Sequence, residues 1–489
     1  MASVRDNYEP QNGTPVVDSG RVDASDLHLK VRNFGPVALA DIDVKPLTVF
    51  IGPNNSGKTY IAKLIYGLSK SMTSELNRGL SRSTRSAFRD YLGDLFRRSE
   101  STVAFADLSK PDRDSLNSEL ESVISGIEQN FQRNVREIFG VDDILRLRRA
   151  ESAVFSFQAG SNALSALISV FAENHQAHIQ LRRPSLDSTL VPAFGDAGLL
   201  TTELAIRMAA EQLWMQLADQ NGFPATNEFY LPSARSGILT VWPLVTSMAI
   251  SSLRQQLGPE PVFMPALSGI VGDFLQHYLS LFMVAESAPK SNAQSFEPAL
   301  ETLEGDILQG RVSMRDIQGV GRRLQYEGAN VALQVESASS MVAELAPLDL
   351  WLRQLVQPGD LLIIDEPEAH LHPQNQRHMA RVLVRLINAG VRVICPTHSS
   401  TILHQLSNHI LAANAPDAER ERLGFTEDDL LVRSKIGVYL FDTAGHDGTM
   451  VRQVEITEDF GISEDEFVAV AEQLGEESYR LMATESLAT

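Results

Sequence analysis

Residues 47–59 read Leu-Thr-Val-Phe-Ile-Gly-Pro-Asn-Asn-Ser-Gly-Lys-Thr, and this stretch decides the fold. Leu47 to Ile51 is an apolar run of strand-forming residues that stops at Gly52. The order Gly-x-x-x-x-Gly-Lys-Thr follows, and then Ile61, Leu64, Ile65 and Leu68 recur at helical spacing. Strand, glycine-rich loop and helix in that order make a phosphate cradle. Glycines let backbone N–H groups turn toward phosphate oxygens, and the helix N-terminus adds partial positive charge. Lys58 is placed to bridge the β- and γ-phosphates and the Thr59 hydroxyl to ligate Mg²⁺. The expected nucleotide-binding set is Gly52, Asn54, Asn55, Ser56, Gly57, Lys58, Thr59 and Tyr60, with ATP and Mg²⁺ as cofactors.

A second signal lies about three hundred residues downstream, in Leu361-Leu-Ile-Ile-Asp-Glu-Pro-Glu-Ala-His-Leu-His-Pro373. Four apolar residues ending in an acid describe a buried strand that delivers a carboxylate at its C-terminal end, where α/β sheets bind ligands. Asp365 is the expected second Mg²⁺ contact, through water, and Glu366 the group that polarises the attacking water. A third strand, Val391 to Cys395, ends in Pro-Thr-His-Ser-Ser, which places His398 where it could sense the γ-phosphate. His370 and His372 near Glu368 raise a metal site, but the spacing lacks a convincing third ligand.

The rest of the chain gives the frame. Its 489 residues carry 43% apolar and 21% charged residues, the usage of an ordinary globular protein. No run approaches the roughly 18 apolar residues of a membrane span, and Met1 to Pro10 contains no apolar leader core. One cysteine, Cys395, sits in an apolar run and reads as a small buried thiol, so a cytoplasmic setting is expected. The net charge of −20 opposes general adhesion to nucleic acid. Arginines nevertheless concentrate at 78–98, at 146–149 and at 182–183, as a solvated helix face or as a local surface for a partner or polyanion.

Residues 1–25 read as a polar tail without period. An N-terminal half of an ATPase head is expected over 26–72, opening with strands at Leu27–Val31 and Ala38–Val44. A mainly helical insertion follows over 73–320, with short strands near 153–157, 166–171 and 177–181 and helices across 201–218 and 239–284. Residues 286–297 are its best loop. The C-terminal half spans 321–489: a hairpin around Gly328, a helix over 340–356, the two apolar strands with a helix between, a helix over 401–412, and strands near 438–441 and 451–456. A closing amphipathic helix is expected near 463–474. Strands alternating with helices behind a P-loop give an α/β fold with a mixed, mostly parallel sheet. No sustained heptads encode long coiled-coil arms.

The three motifs in this order resemble the ABC-type ATPases, and their wording resembles the OLD-like, RecF-related branch of bacteria. Asn33-Phe-Gly-Pro36 ahead of the P-loop is similar to that branch's opening, and Asp365 to Pro373 to its Walker B and D-loop. Thr397-His-Ser-Ser-Thr-Ile-Leu403 is similar to its switch histidine, and Tyr230 to Gly237 to a segment between its halves. The resemblance implies ATP sandwiched between two heads, in a homo-dimer or higher homo-oligomer, with a signature serine loop from the facing head. Ser339 and Ser340, in Glu-Ser-Ala-Ser-Ser-Met, stand where that loop is expected, with Met341 in place of the usual glycine. The Q-loop glutamine stays open between Gln158 and Gln180.

OLD proteins carry a C-terminal TOPRIM nuclease, and the roughly 90 residues after His398 show no acidic set of that spacing. The resemblance therefore extends to ATPase subunits of anti-phage systems such as PARIS and Septu. It implies a sensor or scaffold that controls a separate nuclease or toxin in response to a phage-encoded trigger. The alternative is a RecF- or SMC-like DNA-maintenance ATPase that binds DNA in an ATP-dependent way.

Overall fold

Apolar runs without polar alternation become strands covered on both faces, and such runs build the middle of one large sheet. A computed structural model of the chain describes residues 27–76, 102–104, 110–139, 154–159, 168–173, 176–181, 190–192, 227–241, 268–283, 293–317, 321–443, 448–463 and 475–480. The N-terminal strands are β1 (Leu27–Phe34), β2 (Val37–Val44) and β3 (Leu47–Ile51), and α1 (Lys58–Leu76) follows the P-loop. Next come β4 (Thr102–Ala104), α2 (Lys110–Phe139), β5 (Val154–Ala159), β6 (Ile168–Glu173), β7 (Gln176–Leu181), β8 (Leu190–Pro192) and β9 (Glu228–Leu231). Helices α3 (Gly269–Met283) and α4 (Glu297–Glu301) lead to β10 (Gly310–Ile317), β11 (Gly321–Gly328) and β12 (Val331–Gln334). The C-terminal part contains α5 (Ser340–Gln354), β13 (Leu361–Ile364), α6 (Pro373–Asn388), β14 (Arg392–Pro396) and α7 (Ser400–Asn414). It continues with β15 (Ile436–Asp442) and β16 (Thr449–Gln453), followed by the short pair β17 (Ile456–Thr457) and β18 (Gly461–Ile462).

Eleven strands form one sheet in the order β7-β6-β5-β1-β2-β16-β15-β3-β14-β13-β9. From β15 to β9 the neighbours run parallel, and their residues are mostly apolar: every residue of β3 and of β13 is buried. The β1–β2 and β5–β6–β7 hairpins extend the sheet antiparallel on the other side. The three short strands expected near 153–181 are thus present, and they join the head's own sheet through β5 against β1. β9, from the same middle part of the sequence, forms the opposite edge beside β13. The hairpin around Gly328 exists, and β10, which periodicity did not reveal, makes it three-stranded.

Helices flank the sheet. Trp351 of α5 is fully buried between Phe229 of β9 and Phe274 of α3, with ring centroids 5.5 and 5.6 Å away. This packing ties three distant parts of the sequence into one core. Of the helical stretch expected across 239–284, α3 covers 269–283 and residues 235–241 are helical. The expected loop at 286–297 ends in a 3₁₀ turn over Ala293–Phe296 that feeds α4. Outside the described residues lie the tail 1–25, the arginine stretches 78–98, 146–149 and 182–183, the helix at 201–218 and nearly all of 463–474.

The helical face of the C-terminal part is fastened by Asp429, which is fully buried. Arg385 of α6 donates to its carboxylate at 2.7 Å, to the Pro298 carbonyl at 2.6 Å and to the Thr302 hydroxyl at 2.8 Å. Burial alone would raise the Asp429 pKa, but the Arg385 hydrogen bond and the Thr426 N–H hold it below the ordinary value. A carboxylate of this kind stabilises the fold above the ordinary range, and the contribution fades as pH falls through the depressed native value. Asp429→Asn is expected to destabilise the protein by about 3 kcal/mol at neutral pH, because it leaves two arginines facing an uncharged partner. Urea unfolding at pH 7 checks this, and the difference from the native chain should shrink on acidification.

Candidate functional site

Four adjacent parallel strands end on the same side, so the loops after β3, β14, β13 and β9 are neighbours by topology. They deliver Gly52–Thr59, His398, Asp365–Glu366 and the segment 232–236 respectively. A cleft of about 530 Å³ lies there, lined by Asn54 to Tyr60, Asp365, Glu366 and His398, with Pro36 and Pro396 at its border. Residues 306 apart in sequence touch within it: the Thr59 hydroxyl donates to Asp365 Oδ1 at 3.2 Å.

The P-loop geometry follows from its glycines. Gly52 has φ +132°, and a Cβ there would lie 2.6 Å from the Phe441 carbonyl of β15. Gly57 has φ +102°, and a Cβ would press on Val37 and Pro36 at 2.7 and 2.9 Å. The turn at 33–36, quoted above only for its wording, thus packs directly on the loop. Asn55 also takes a left-handed φ of +61°, which asparagine tolerates. The Lys58 ammonium donates to the Gly52 and Pro53 carbonyls at 2.9 and 2.7 Å, which closes the loop on itself. Burial lowers its pKa to about 8, against the raising effect of Asp365, Glu366 and Glu368.

Asp365 is nearly buried, and burial with the adjacent Glu366 pushes its pKa up to about 6. Tyr230, fully buried on β9, donates its hydroxyl to Asp365 Oδ2 at 3.3 Å. A hydroxyl and a carboxylate facing each other at the mouth of a phosphate loop are hard oxygen donors suited to Mg²⁺. Thr59 and Asp365 would hold that ion, whose chemistry is to neutralise charge developing on transferred phosphate.

Glu366 has φ +52°, a left-handed backbone that costs a non-glycine residue on the order of 1–3 kcal/mol. Its N–H donates to the Pro396 carbonyl at 2.9 Å, so the strain is held by the neighbouring strand. Glu368 fastens the same two loops: its carboxylate accepts the Thr397 hydroxyl at 2.8 Å and the His398 N–H at 2.5 Å. His398 is exposed, and its pKa is lowered by partial desolvation and by Lys58. The ring lines the cleft beside the phosphate loop, and its lowered pKa favours the neutral imidazole.

Ser339 and Ser340 stand outside this cleft. Ser339 caps α5 by accepting the Val342 N–H at 3.4 Å, and both serines are exposed. Gln158 and Gln180 lie on β5 and β7, and four strands separate β5 from β3. His372 accepts the Gln374 N–H at 3.3 Å and caps α6. Cys395 is fully buried in β14, and burial raises its thiol pKa. Periodicity and motif spacing did not assign Tyr230, Arg235, Glu344 or Glu368 to the site. The available signal was chemical: Glu344 is a charged residue on the apolar stripe of α5 and needs a buried partner.

A P-loop closed by an acidic strand end, on a mixed α/β sheet, defines a P-loop ATPase head. The AAA ATPase domain matches residues 28–181 and 255–403, more than half of the chain, and the chain belongs to this family. No curated protein matches the chain in sequence. Among solved structures, an SMC head bound to the C-winged helix domain of ScpA is similar, with 10% identity and TM-score 0.41 over 89% of this chain and 98% of that one. The SMC head domain from Thermotoga maritima aligns at 10% identity and TM-score 0.37 over 88% of this chain and 100% of that one. An Smc head domain with an extended coiled coil, bound to the C-terminal domain of ScpA derived from Pyrococcus furiosus, aligns at 10% identity and TM-score 0.38 over 92% and 99%.

The raised pKa of Asp365 sets a stability trend. Its value moves from 3.8 to about 6 on folding, so the ionised carboxylate opposes folding above pH 6 and the effect vanishes below the unfolded value. In metal-free buffer at pH 8, Asp365→Asn is expected to stabilise the protein by about 2 kcal/mol. Denaturant titration in EDTA at pH 8 and pH 4 checks this, with the gain present only at the higher pH.

Proposed function

We propose that the chain binds MgATP in the cleft after β3 and hydrolyses it with Glu366 as the group that orients the attacking water. Lys58 and the loop N–H groups hold the phosphates, Thr59 and Asp365 hold Mg²⁺, and His398 monitors the γ-phosphate. The observation that carries this is the Thr59–Asp365 contact, which places the phosphate loop and the acidic strand end at one point. Positive φ at Glu366 adds support, because backbone strain of this kind gathers at working sites.

Heads pair in this proposal. Ser339 and Ser340 are exposed at the N-terminus of a 15-residue helix and away from their own cleft, so they are available to the nucleotide of a facing copy. ATP then acts as the glue of a homo-dimer or larger homo-oligomer. The wording of the motifs extends the proposal to a sensor or scaffold whose assembly state controls a separate nuclease or toxin after a phage trigger. Among the described residues no helix is long and apolar enough to cross a membrane.

Two substitutions separate binding from chemistry. Lys58→Ala is expected to weaken ATP affinity at least about tenfold, through loss of a charge-assisted contact to phosphate. Glu366→Gln is expected to keep ATP affinity and lose turnover by about 10²-fold or more. Equilibrium binding of a fluorescent ATP analogue with steady-state phosphate release checks both. Unchanged turnover in Glu366→Gln contradicts the assigned chemistry.

A further inference from the structure

The segment after β9 contains an arginine buried to 1% exposure, and it falls between the two stretches that match the AAA ATPase domain. Arg235 makes four contacts. Its Nε donates to the Glu344 carbonyl at 3.0 Å and lies 3.2 Å from the Glu344 carboxylate. One terminal nitrogen, Nη1, donates to the Pro232 carbonyl at 3.0 Å and to the Asp365 carbonyl at 2.9 Å. Glu344 is fully buried, and its second oxygen accepts the Ser236 N–H at 3.2 Å.

The contact with Asp365 is to the main chain. The peptide joining Asp365 to Glu366 is therefore gripped at both ends: its carbonyl by Arg235 and its N–H by the Pro396 carbonyl. That plane holds one side of the left-handed turn at Glu366 with φ +52°, and the Ala369 N–H, donating to the Glu366 carbonyl at 3.1 Å, holds the other. The other side of Arg235 is anchored on α5, one helical turn from Ser340, which is about 6 Å along the axis. A guanidinium can serve these carbonyls and a carboxylate together because its donors are arranged in a rigid fork; an ammonium cannot.

We propose that Arg235 is a positioning residue for hydrolysis, locking the Asp365–Glu366 peptide to the helix that carries the signature serines. This rests on the ATPase assignment above. Contact of Ser339 and Ser340 with a facing nucleotide displaces or stiffens α5. Glu344 and Arg235 carry that change to the carboxylate that aligns water. Nucleotide binding, which uses the P-loop, is left alone.

Two variants test it. Arg235→Lys keeps the positive charge beside Glu344 but loses the fork. The double variant Arg235→Met with Glu344→Leu removes both charges, so the core is free of an unpaired ion. Melting temperature, ATP affinity and turnover are measured for both and for the native chain. Expected is a turnover loss of roughly tenfold to a hundredfold at near-native ATP affinity, in the double variant even where the melting temperature is native. Native turnover in either folded variant overturns the proposal, as does a loss of affinity that matches the loss of turnover. If neither variant gives a native melt, Arg235 belongs to the core alone, which also overturns it. A native chain without turnover removes the ATPase assignment itself, and the proposal with it.

Discussion

The contact between the Thr59 hydroxyl and the Asp365 carboxylate depends on strand order more than on either residue. β3 and β13 do not pair; β14 lies between them, and all three run parallel. Their C-terminal ends therefore meet at one edge, with the P-loop, His398 and the acidic pair side by side. The parallel middle is possible because its strands are apolar on both faces and helices cover them. Thr48, the polar residue of β3, is buried with its hydroxyl donating to the Lys45 carbonyl at 3.0 Å; a polar residue in β3 or β13 without such a partner would weaken the arrangement that sets the distance.

The site is built against its own stability. Asp365 is ionised in a nearly dry place, Lys58 is held by burial below its usual pKa, and Glu366 sits in a strained backbone. The first two would be relieved by the proposed ligands, a divalent cation for the carboxylate and phosphate oxygens for the ammonium. Polar contacts around them keep the strain in place. Tyr230 holds one carboxylate oxygen, Glu368 clamps the loop of His398, and Arg235 pins the peptide before Glu366. All three supports come from outside the P-loop, and two of them, Tyr230 and Arg235, from the middle of the sequence.

That division explains what the sequence could say. Leu47–Thr59 and Leu361–Glu366 were legible because a local pattern, an apolar run that ends in a turn, carries both the strand and the chemistry. The caps of α5, α6 and α7 are Ser339, His372 and Ser399, which stand out in the sequence only as parts of other runs. The short strands β5, β6 and β7 could be seen as strands, but nothing local told that β5 pairs with β1. β10 was missed although Arg311, Ser313 and Arg315 alternate with Val312 and Met314, because the alternating run is short and its pairing with β11 is not written locally. Arg235 was quoted as part of a run, yet its role is set by Glu344 and Asp365, more than a hundred residues away.

The central claim is that one bound nucleotide is shared by the P-loop and by a carboxylate from the far half of the chain, with Mg²⁺ between them. Calorimetric titration of ATP, with and without Mg²⁺, on the native chain and on Asp365→Asn tests it most directly. The account predicts that Mg²⁺ strengthens ATP binding to the native chain and has little effect on the variant. An equal Mg²⁺ dependence in both would mean that Asp365 does not serve the nucleotide held by residues 52–59.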